Sequence, residues 1–200
     1  MSTTSRNVSL ELPHGFVRAA GAIGGAGGLL FAALGIYGAA AKRVEYHQGP
    51  DLWYALASIA LLMFIVGVIG LGRAGFAGRG PASLIGLGGA IFGLALTFVA
   101  HAIAAADATQ SESNLFPIAM IVNPLTMLFL GVLVLRTRRW RGWQQVTPLV
   151  CALYPLALVV GVLVFASDGP PGFPFIAGFG LCWLLFGMAL YTAPAQRAQG

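Results

Sequence analysis

Residues 52–72 read LWYALASIALLMFIVGVIGLG, with Asp51 immediately before them and Arg73 immediately after. No charge interrupts the run. A helix rises about 1.5 Å per residue, so about 20 residues cross the roughly 30 Å of hydrocarbon in a bilayer. The run is apolar on every side, whereas a strand of a membrane barrel alternates apolar and polar residues over about ten positions. A helix also satisfies its own backbone hydrogen bonds, which lipid cannot do. The stretch therefore reads as a transmembrane helix.

Five more stretches of the same kind lie outward from it, at about 19–41, 82–106, 115–135, 146–166 and 173–192. The expected fold is all-α: a polytopic transmembrane helical bundle of six transmembrane helices, forming one domain over 16–193. Polar tails are expected at 1–15 and 194–200. The first apolar run is too long for the core of a cleaved signal peptide, which spans about 7–15 residues. Composition agrees. Of the 200 residues, 58% are hydrophobic and 8% charged, with mean hydropathy +0.85. Soluble domains carry about 25% charge, and disordered chains combine low hydrophobicity with high net charge.

The charges sort by side. If the N-terminus is cytoplasmic, Arg6, Arg18, Arg73, Arg79, Arg136, Arg138, Arg139, Arg141 and Arg197 all fall inside, and only Lys42 and Arg43 fall outside. The outer connections hold Glu45, Asp51, Asp107, Glu112 and Asp168. Cytoplasmic loops collect Lys and Arg, so the expected topology is N-in and C-in in the cytoplasmic membrane.

Ionisable residues at membrane depth are functional candidates, because lipid makes them costly. His101 stands out, about five residues inside the outer boundary, with Thr97 one turn earlier on the same face. Asn123 lies about eight residues, roughly 12 Å, deep from the same side on the returning fourth span, so His101 and Asn123 could meet if their faces match. One reading is a polar site for a small solute or a proton. The other is a hydrogen bond that joins two helices, worth about 0.6 kcal/mol. Pro124 and Pro155 lie inside spans and are expected to kink them. Such breaks free carbonyls that coordinate ions in transporters, yet proline is common in membrane helices without that role.

Glycines crowd the first span at 21, 24, 25, 27, 28, 35 and 38. The pairs Gly21–Gly25 and Gly24–Gly28 have the spacing that lets helix backbones approach closely, either within the bundle or between two copies. The most polar connection is RTRRWRGW at 136–143. Arg136, Arg138, Arg139 and Arg141 with Trp140 and Trp143 suit anionic headgroups and the membrane interface better than nucleic acid. Cys151 and Cys182 are expected at different depths, which argues against a bridge between them.

The sequence carries no phosphate-binding loop, metalloprotease motif, nucleophile elbow or paired carboxylates at depth. No cofactor or metal is implied, and no enzyme is expected. The last helix ends in FGMALYTAPAQR at 186–197, and each inner connection carries Arg. In these features the chain resembles small uncharacterised bacterial six-helix multi-pass membrane proteins. The resemblance covers length and hydropathy, implies six helices in the cytoplasmic membrane, and transfers no active-site residue. The expected function is a non-catalytic membrane component or accessory, partner-binding subunit, with a protein partner or a second copy of the chain, in contact with anionic lipid. The alternative is a small-solute or proton-linked transporter or channel using His101 and Asn123.

Overall fold

The computed structural model describes residues 14–41, 51–107, 115–165 and 173–193. These form α1 (His14–Ala40), α2 (Leu52–Ala74), α3 (Pro81–Ala106), α4 (Leu115–Thr137), a 3-10 turn (Gly142–Val146), α5 (Thr147–Phe165) and α6 (Phe173–Tyr191), with no strand among them. All six helices are long and apolar enough to cross a membrane. Residues 1–13 and 194–200, and with them most of both expected tails, lie outside the described residues. So do Lys42, Arg43, Glu45, Glu112 and Asp168.

Local chemistry sets the helix ends. Asp51 caps α2 by accepting a hydrogen bond from Trp53 N–H at 2.8 Å, as a short side-chain acceptor at an N-cap does. Gly75 ends α2 in the left-handed region at φ 69° and donates to Gly72 O at 3.0 Å, a conformation glycine enters without a Cβ penalty. Pro81 opens α3 at a position where its missing N–H costs nothing. α1 starts at His14 and contains Arg18, whose guanidinium lies 4.8 Å from the centre of the Tyr191 ring. That cation–π contact lets a charged residue extend the helix beyond its apolar run.

Each helix packs on the next, and α6 returns onto α1, which closes a ring; α2 also touches α6. The α1–α6 seam is the tightest. A Cβ added to Gly28 would lie 2.7 Å from Gly180 O, and one added to Gly21 would lie 2.8 Å from Gly187 O. The other face of α1 rests on α2, where a Cβ on Gly27 would lie 2.7 Å from Met63 Cβ. The glycines of the first span are thus used within the chain. Beside the seam, Phe64 of α2 and Trp183 of α6 stack at 4.3 Å with a 6° interplanar angle.

The bundle has two chemically different ends. Among the described residues, Arg18, Arg73, Arg79, Arg136, Arg138, Arg139 and Arg141 stand at the end where α1, α3 and α5 begin. Asp51 and Asp107, the only described acids, stand at the other.

Candidate functional site

His101 sits a little over one turn before the end of α3 and is 5% exposed. Its Nδ1–H donates to Thr97 O at 2.9 Å, and Thr97 Oγ1–H in turn donates to Gly93 O at 2.9 Å. A carbonyl only accepts, so Nδ1 carries a proton in this contact. Four rings surround it: Phe116 of α4 at 4.8 Å, Tyr54 of α2 at 5.9 Å, Phe31 of α1 at 6.2 Å and Trp53 of α2 at 6.4 Å between centroids. Trp53 is itself fixed, since its Nε1–H donates to Leu34 O at 3.0 Å. Four helices therefore converge on one imidazole, and Asp51 N–H ties the start of α2 to Ala105 O of α3 at 2.9 Å beside it. Among the described residues no group of His, Cys, Asp and Glu could hold a metal ion.

Asn123 does not join His101. The α3–α4 hairpin is antiparallel, and its register places Phe116 opposite His101 and Asn123 opposite Gly93. A Cβ on Gly93 would lie 2.7 Å from Asn123 Cα and 3.0 Å from Thr126 Oγ1. Seven helical residues separate Phe116 from Asn123, about 10 Å along the axis. The depths counted from the sequence ends missed this, because they fixed no contact between the two helices. Asn123 is buried, and its Oδ1 has no hydrogen-bond partner. Thr126 Oγ1 lies 2.9 Å from both Val122 O and Asn123 O.

Pro124 and Pro155 lie inside α4 and α5, which each continue through the proline as one element. Each removes the N–H that would have reached the carbonyl four residues back, at Met120 and Cys151 respectively.

The arginine connection divides. Arg136, Arg138, Arg139, Arg141 and Trp143 are exposed, but Trp140 is not an interface anchor: it is 1% exposed. It stacks on Phe76 at 4.6 Å and 6° and meets Phe186 at 6.4 Å. Arg138 takes φ 51° just after α4 ends. That left-handed step turns the chain back and tucks Trp140 beneath the α2–α3 connection. Thr137 Oγ1–H donates to Phe76 O at 2.6 Å and Arg139 Nη1 donates to Gly75 O at 3.3 Å, so the two connections are joined side by side.

The cysteines are level with each other, contrary to the depth argument. Tyr154 of α5 lies against Gly178 of α6, its hydroxyl donating to Phe175 O at 3.2 Å. One turn toward the arginine end, the same faces carry Cys151 and Cys182, both free thiols. The chain enters the bundle through the 3-10 turn, where Gln144 Nε2 donates to Thr192 Oγ1 at 3.0 Å.

Several residues of the His101 shell were missed in the sequence. Asp51 had a signal, an acid directly before an apolar run. Phe31, Trp53, Tyr54 and Phe116 had none, because they come from three other helices. No protein-family model, curated protein or solved structure matches the chain.

Proposed function

We propose that this protein is a non-catalytic component of the cytoplasmic membrane that works by packing against lipid and a partner polypeptide. The observation carrying this reading is where four polar side chains within the spans spend their hydrogen bonds. Ser58 donates to Tyr54 O, Thr97 to Gly93 O, His101 to Thr97 O and Thr126 to Val122 O, each four residues back on its own helix. Groups bonded in this way are satisfied on their own helix and form no relay from one helix to the next. The α3 face bearing Leu84, Ile85, Phe92 and Val99 and the α5 face bearing Val150, Leu153 and Val160 are exposed and apolar, as lipid or a membrane partner requires. The separation of Arg from Asp supports an N-in, C-in orientation, with the arginine end on an anionic leaflet.

Native mass spectrometry of the protein released in its own lipid tests this. A stoichiometric second polypeptide is expected. A chain without a partner that moves solute in liposomes, with flux lost in His101→Ala, would overturn it. The orientation fails if a reporter fused after Gly200 is active only on the outer side.

One observation favours the transport alternative: Asn123 Oδ1 is a buried acceptor with no donor. In lipid such a group costs free energy and suits a passing cation or water. Flux that survives His101→Phe but disappears in Asn123→Leu would select that reading.

A further inference from the structure

We propose that the turn after α2 holds the phosphate of an anionic phospholipid between Arg79 and Arg139. The site deepens the reading that the arginine end lies on an anionic leaflet, and it rests on that reading.

Gly75 marks the place. A methyl group on Gly75 would lie 3.6 Å from Arg139 Nη1 and 3.8 Å from Arg79 Nε. Two guanidinium groups from different connections thus reach within 4 Å of one point. No carboxylate among the described residues stands at this end of the bundle to neutralise them. An anion placed between two like charges is attracted to both and relieves their repulsion. Guanidinium–phosphate hydrogen bonds run about 2.7–2.9 Å, so two arginines around one point can share the oxygens of one phosphate.

One member of the pair is also held in place. Arg139 donates one bond to Gly75 O, leaving its remaining N–H groups for a ligand. Its neighbour Trp140 is locked on Phe76, the residue after Gly75. Thr137 binds Phe76 O from the other side. Beside Arg79, the Ser83 Oγ–H donates to Gly78 O at 2.9 Å, which fixes the backbone of the turn at the start of α3. Such preorganisation lowers the cost of ordering the site on binding. The exposed Trp143 lies at the same end, where indole rings favour the headgroup level.

The test uses the full-length protein in phosphatidylcholine nanodiscs, with and without added phosphatidylglycerol. Native mass spectrometry counts the anionic lipids retained and gives their apparent affinity. Arg79→Gln and Arg139→Gln are each expected to weaken retention about tenfold, the value of one charge-assisted hydrogen bond. Arg138→Gln and Arg141→Gln, exposed in the same connection, are expected to change it less than about twofold. Arg79→Gln leaves the Thr137, Arg139 and Trp140 contacts intact, so it reads binding even if Arg139→Gln perturbs folding. Equal losses in all four variants would overturn the paired site while leaving general attraction to headgroups standing. Loss of that general attraction, with phosphatidylglycerol retained no better than phosphatidylcholine by the wild type, would sink both. Inorganic phosphate added to phosphatidylcholine discs separates the sources. If it occupies the site as tightly as phosphatidylglycerol, the ligand is a soluble phosphate and the lipid assignment falls.

Discussion

The glycines of α1 separate two substitutions that a spacing motif treats as equivalent. Gly28 and Gly25 both belong to small-xxx-small pairs and both face α6. A Cβ on Gly28 would lie 2.7 Å from Gly180 O and 2.8 Å from Leu184 Cα, and nearer still to Leu184 N. These are backbone atoms, which cannot rotate away. Ordinary contact begins near 3.4 Å, so Gly28→Ala must move α1 away from α6 by several tenths of an ångström or more. A radial gap of about 0.5–1 Å forfeits a quarter to a half of each dispersion contact it opens. Overpacking of this kind costs about 1–3 kcal/mol, and the better helix propensity of alanine returns about 1 kcal/mol. Because the clash is with backbone, the upper part of that range applies, and the expected net loss is about 1–2 kcal/mol. A Cβ on Gly25 would meet Gly187 Cα at 3.7 Å, an ordinary contact. Gly25→Ala is therefore expected to be neutral or to stabilise by up to about 1 kcal/mol. Equilibrium unfolding in mixed micelles, titrating denaturing detergent and following helicity, measures both. Equal destabilisation by the two substitutions, or a neutral Gly28→Ala, would refute the packing argument.

Trp140→Ala empties a fully buried stacking site and should cost about 3–5 kcal/mol, while Trp143→Ala on the exposed side should cost less than about 1 kcal/mol; the same unfolding assay compares them. His101→Phe keeps a ring within the aromatic shell and should cost about 1 kcal/mol, whereas His101→Ala leaves a cavity worth about 2–4 kcal/mol. Equal losses in those two variants would show that the Nδ1–H bond to Thr97, and not packing, is what His101 contributes. The α5–α6 register predicts that a short bis-thiosulfonate reagent joins Cys151 to Cys182 within one chain. Mass spectrometry of the digested protein should find the joined peptides, and their absence despite modification of both thiols would break the register.

The sequence alone determined the environment and the number of helices, because the cost of placing charge or unpaired backbone in hydrocarbon acts on every residue of a span. Runs such as 52–72 and 82–106 declare themselves without a neighbour, and their observed ends at Leu52–Ala74 and Pro81–Ala106 follow closely. The segregation of Arg from Asp was legible for the same reason. Which glycines touch which helix was not. The motif at 21, 24, 25 and 28 allowed packing within the chain or between chains, and only the ring closure of α6 onto α1 assigned it. Tertiary structure also separated His101 from Asn123, brought Cys151 level with Cys182 and buried Trp140. Each of those outcomes depends on the axial offset of two antiparallel helices or on one left-handed residue in a connection. A shift of one helical turn, about 5.4 Å, replaces every partner along an interface while leaving hydropathy unchanged. Hydropathy is a property of each segment, whereas register is a property of pairs of segments, and it is decided only when their side chains meet.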